Sequence, residues 1–167
     1  MVLQIKLRIL LSGFLQQGII DVKYFSQSNM GKMVAINNLM VHVTGDICFT
    51  CDSDDYLTVE AMNIINKYAD LLLKDDTVYA LCFLKKTEKG RISGRKFAEN
   101  VMRSDMFSLY FREGMTGEKC LVFNTSIRKK YHHELECDEK FVTESRMYNK
   151  MDLDYDIICI NEAIEVR

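Results

Sequence analysis

At 167 residues and 48% hydrophobic content, the chain is sized for one domain with a sizeable core. A net charge of −2, with both signs dispersed, excludes the basic stripe of a nucleic-acid-binding surface. No run of about 18 apolar residues occurs, so no membrane-spanning helix is expected.

The elements follow in chain order. Leu3, Leu7, Leu10, Leu11 and Phe14 keep helical spacing, and Gly18 reads as the stop. "DVKYFSQ" (21–27) reads as a short strand. "NMGKMVAINNLMVHVTG" (29–45) predicts a helix, with Ile36, Leu39, Met40 and Val43 on one face and Gly45 at its end. "DICFTCD" (46–52) is the next strand, and Thr58 caps a helix running to about Leu73. Residues 77–87 are rich in strand formers, and 88–101, with two glycines and many charges, read as an excursion from the sheet. A strand within 117–126, a short helix at "SIRKKY", a helix over 138–151 with Phe141 and Met147 inward, and a strand over 155–167 complete the chain. This alternation predicts parallel βαβ units, hence a doubly wound, mostly parallel α/β sheet flanked by helices.

The chain has six cysteines. Cys48, Cys51, Cys82 and Cys159 lie in apolar strand-like runs, where a reduced thiol packs as a small hydrophobe. They read as core thiols of a cytoplasmic protein, a setting that includes the inner face of the membrane. Cys48 and Cys51 form a C-x-x-C, but no second pair supplies a zinc site.

The chemically loaded stretch is "ICFTCDSDD" (47–55). An apolar run ends abruptly in Asp52, Asp54 and Asp55, and so much like charge needs water, a nearby cation or a metal to compensate it. Ligands of parallel α/β sheets sit outside the carboxyl ends of strands. Asp52 and Asp54, at i and i+2 on an extended segment, point to one side. Such carboxylates are hard oxygen ligands for Mg²⁺ or Mn²⁺, leaving positions for water and phosphate oxygens. An Asp-rich turn that caps the next helix is the alternative reading.

The block "NMGKMVAINNLMVHVTGDICFTCDSDDYLTVEAM" (29–62) resembles the family 2 glycosyltransferases of the GT-A fold. The matching positions are Asn29, Gly31, Lys32, Ala35, Asn37, Thr44, Gly45 and Asp52 to Asp55. "GEKCLVFNTSIRKKY" and "EKFVTES" look like the acceptor-side part of the same family. The resemblance implies one glycosyltransferase-like domain over 1–167, with a donor and metal half at 1–76 and an acceptor-side half at 77–167. It implies a nucleotide-sugar donor, a UDP-sugar in the first place, Mg²⁺ or Mn²⁺, inversion at the anomeric carbon, and a glycan or lipid-linked acceptor. Lys32, Asn37 and Asp52 would serve the donor, Asn37 by holding either the loop or the sugar. Asp54 would be the metal ligand. The family's acceptor-side carboxylate acts as general base; its E-D pair is absent here, Glu144 is the positional match, and Glu139 is second. His132 and His133 fall in a polar stretch and read as surface residues. Family members also carry a strand–helix–strand with a D-D-x-S-x-D-like segment ahead of the point where this resemblance begins, so an N-terminally truncated fold is expected. Strand edges left open by such a truncation invite homo-oligomerisation. The alternative function is a non-catalytic interaction module that keeps the fold.

Overall fold

The computed structural model describes residues 21–135 and 142–167. The chain divides into two compact units, Met1–Met30 and Gly31–Arg167. Of the first unit, residues 21–30 are described, and they form no regular element. The strand expected over 21–27 is therefore not formed, because no described strand pairs with it and a strand without a ladder does not hold its backbone. The helix expected at Leu3–Phe14 lies outside the described residues.

The second unit begins with α1 (Lys32–Met40). It stops short of Gly45, since Val41 and Val43 are β-branched and Val41 is exposed, leaving no apolar face to extend. The strand expected over 46–52 shortens to β1 (Ile47–Cys48), antiparallel to β5 (Lys119–Asn124). From Phe49 the chain leaves the ladder and turns, with the Asp55 N–H on the Asp52 carbonyl at 3.1 Å. It then forms β2 (Tyr56–Leu57), antiparallel to β6 (Asp156–Val166). α2 (Ala61–Leu73) and β3 (Val78–Lys86) follow. Next come β4 (Met102–Ser104), a π-helical turn at Ser108–Arg112, α3 (Thr125–Arg128) and α4 (Ser145–Met151).

The strand order is β1-β5-β3-β6-β2, with β4 also on β6. Helices and strands mix as expected of an α/β fold, but the sheet is mixed rather than mostly parallel. Only β3 and β6 pair in parallel among the described strands. The physical reason lies in the 87–118 excursion. It holds no crossover helix to carry the chain back to the starting end, so β5 returns antiparallel to β3. The excursion is tied down by Gly94 and Gly117, both at positive φ. A Cβ on Gly117 would lie 2.1 Å from the Ser93 carbonyl oxygen, and one on Gly94 2.0 Å from that of Thr116.

The sheet is buried on both faces along β3. Ala61, Ile65, Tyr68 and Leu72 of α2 pack on Leu81, Phe83, Val122 and Ile160. On the opposite face Tyr79, Cys82, Leu109, Phe123, Met147 and Met151 form the second core. Cys82, Cys120 and Cys159 are buried thiols, and all five described cysteines are free. Cys51 is exposed, against expectation, because its strand ends at Cys48. Among the described residues no helix is long and apolar enough to cross a membrane.

Candidate functional site

Because β1 and β2 lie at opposite edges of the sheet, residues 49–55 must cross its end. They pass Lys85 and Glu165, near the carboxyl ends of the parallel pair β3 and β6, which is where ligands of α/β sheets gather. An open cleft lies there, with two adjoining lobes, both lined by Lys32, Asp52, Lys119 and Glu144.

Lys32, Asp52 and Glu144 come from three distant parts of the sequence: the start of α1, the crossing loop and the start of α4. They meet in one cluster. Lys32 Nζ is 2.8 Å from Asp52 Oδ1 and 2.8 Å from Glu144 Oε1, with the three side chains 43%, 42% and 39% exposed. Partial burial works to lower the Lys32 pKa, but the two carboxylates outweigh it and raise it. The other Glu144 oxygen accepts from the Tyr148 hydroxyl at 3.3 Å. Burial, reinforced by the Glu144 charge, pushes the Tyr148 phenol well up and keeps it a neutral donor.

Asn37 faces a loop. Its amide donates to the His133 carbonyl at 2.8 Å and accepts from the His133 N–H at 3.0 Å, pinning 133 to α1. Asp54 is exposed and lines neither lobe. Glu139 lies outside the described residues. His132 is exposed as expected; His133 is buried, against expectation, because the Asn37 clamp draws its backbone inward. Burial and the nearby Arg128 guanidinium lower its pKa to about 4, so the imidazole is neutral near pH 7.

The D-S-D-D charges are compensated one by one. Asp52 meets Lys32, Asp54 faces water, and Asp55 meets Lys85 at 2.7 Å. Lys85 also reaches the fully buried Glu165 at 2.8 Å. The Lys85 ammonium holds the Asp55 carboxyl below its ordinary range, while burial lifts Glu165 above it. Among the described residues no three His, Cys, Asp or Glu side chains converge as the ligands of a metal would. The described residues thus build no complete metal cage by themselves. An ion held by one carboxylate and by a ligand's phosphate oxygens needs none.

Lys85, Glu165, Lys119 and Arg128 are cleft residues that the sequence did not single out, and His133, read there as a surface residue, lines the cleft as well. For two of them a signal existed. Lys85 and Glu165 interrupt apolar strands, where a charge is expensive unless it has a partner.

No protein-family model matches this sequence, and no curated protein matches it. Solved structures do match its fold. One is S. aureus TarS 1–349 in complex with UDP-GlcNAc, with 18% identity and a TM-score of 0.58, aligned over 88% of this chain and 41% of that one. The fold is glycosyltransferase-like. At that identity the likeness is one of fold, and the chain spans less than half of the structure it matches.

Proposed function

We propose that the cleft binds a nucleotide sugar, a UDP-sugar in the first place, and that the chain is the glycosyl-transferring domain of an inverting glycosyltransferase of the family 2, GT-A type. The observation that carries this reading is the meeting of Lys32, Asp52 and Glu144 on one cleft at the carboxyl ends of β3 and β6. The glycosyltransferase-like fold supports it, as does the UDP-GlcNAc bound to the TarS structure.

In this reading Lys32 exchanges its carboxylates for the donor diphosphate. Asp52 faces the donor, and Asn37 acts indirectly by fixing the loop that carries His133. Mg²⁺ or Mn²⁺, held by Asp54 or Asp52 together with diphosphate oxygens, would neutralise the leaving group. Glu144, freed from Lys32, takes the proton of the acceptor hydroxyl as its oxygen attacks the anomeric carbon. The bond from that carbon to the diphosphate breaks on the opposite face, giving inversion and a nucleoside diphosphate. The acceptor class that fits is a glycan or lipid-linked saccharide.

Calorimetric titration of UDP and UDP-GlcNAc, with and without Mn²⁺, tests the donor site. One-to-one binding that tightens with Mn²⁺ is expected. Absence of binding under both conditions would overturn the enzyme reading and leave an interaction module with this fold.

A further inference from the structure

Arg128 is a buried cation in an unusual setting. Its side chain lines the cleft and is only 3% exposed. Among the described residues no carboxylate forms an ion pair with it. Nη1 donates to the Tyr131 carbonyl at 2.7 Å, and the guanidinium lies 5.7 Å from the centre of the Phe123 ring. Nη2 lies 3.4 Å from His133 Nε2. A buried charge is costly unless it is paired, and Arg carries five donors, of which these contacts occupy two.

The Arg128–His133 contact decides more. A guanidinium can only donate, so His133 Nε2 must accept, and the ring proton then sits on Nδ1. Nδ1 is the ring atom that is buried with no hydrogen-bond partner. His133 is itself only 5% exposed and lines the same lobe of the cleft. Two neighbouring buried side chains therefore present unspent donors and no acceptor. Such a wall suits a ligand that is anionic and rich in acceptor oxygens. The planar fork of arginine matches phosphoryl oxygens two at a time.

We propose that Arg128 and His133 form a phosphoryl-binding subsite in the wall of the cleft, separate from the Lys32–Asp52–Glu144 cluster. The anion site stands on the geometry of these two residues. Its assignment to a phosphoryl group rests on the nucleotide-diphosphate reading above.

The test uses the full chain, calorimetry with inorganic pyrophosphate and with UDP, and thermal unfolding. Wild type should bind both. Arg128→Met and His133→Ala should each lose about 10- to 100-fold in pyrophosphate affinity, the loss expected for a hydrogen bond to a charged group. Without ligand, Arg128→Met should match or exceed the wild-type Tm, because an apolar side chain replaces a buried cation that has no ion pair among the described residues. Pyrophosphate affinity unchanged in Arg128→Met would overturn the subsite. If that variant does not fold, unchanged affinity in His133→Ala overturns it equally. Failure of the two readings is distinguishable. Pyrophosphate bound without UDP keeps the subsite and removes the nucleotide. UDP bound equally by wild type and both variants, with pyrophosphate affinity also unchanged, keeps the nucleotide and removes the subsite. Competition separates the sources of the phosphoryl group: displacement of pyrophosphate by UDP assigns it to the donor, and simultaneous binding assigns it to a second phosphorylated ligand.

Discussion

Two lysines in this molecule each bridge two carboxylates at nearly the same distances, Lys85 with a third, Glu118, at 3.9 Å, and their surroundings differ. Lys85 holds Asp55 at 2.7 Å and Glu165 at 2.8 Å, and the three side chains are 10%, 8% and 0% exposed. Lys32 holds Asp52 and Glu144 at 2.8 Å, but its cluster is about two-fifths exposed. In the buried cluster no group can be released without stranding a charge, so it acts as a rivet that fixes the crossing loop to the sheet. In the open cluster water can replace any partner at little cost, so the pairing is exchangeable. Burial, and not bond length, separates the two clusters.

The sharpest way to break this contrast is Lys85→Met. It leaves Asp55 and Glu165 facing each other without a cation, and a loss of about 3–5 kcal/mol is expected from urea unfolding. A loss below about 1 kcal/mol, typical of an exposed pair, would erase the distinction. Gly117→Ala comes next. Its Cβ would meet the Ser93 carbonyl at a φ that side chains rarely adopt, and a loss of at least about 1–3 kcal/mol should follow. That change loosens the excursion preceding Lys119 while leaving the rivet in place, so circular dichroism should still report a folded sheet.

Acid titration resolves the rivet further. The folded-state pKa of Asp55 is depressed by Lys85, so its stabilisation is complete above the ordinary carboxylate value of 3.8 and is lost as pH falls below it. Asp55→Asn should lose less stability than wild type between pH 4 and pH 2, where both are measured in the same buffers. Glu165 contributes with the opposite sign, since its pKa is raised: its share is present at low pH and lost as pH rises. The smallest stability effect belongs to Lys32→Met, at most about 1 kcal/mol, because Asp52 and Glu144 can hydrate.

Much of this was legible in the sequence, for reasons that differ by element. α2 and β3 announced themselves through apolar periodicity and a long run of strand formers, signals that local physics writes directly. The resemblance led to Lys32, Asp52 and Glu144, which the fold brings to one cleft from distant positions. The sheet's direction was not legible. Whether β5 runs with or against β3 depends on the path of an excursion closed by a contact between Gly94 and Gly117, and periodicity does not encode such a contact. His133 was misread for the same kind of reason: its burial is imposed by Asn37, a residue far away in sequence. The length of β1 also escaped, since an apolar run shows where a strand can form and not where its neighbour stops pairing.

The most direct measurement compares UDP affinity in wild type and Lys32→Met by calorimetry at fixed Mn²⁺, with the Tm of both recorded. If the open cluster exchanges its carboxylates for a diphosphate, affinity falls by about tenfold or more, the value of a charged hydrogen bond, while the Tm barely moves. Equal UDP affinity in the two proteins would contradict the account.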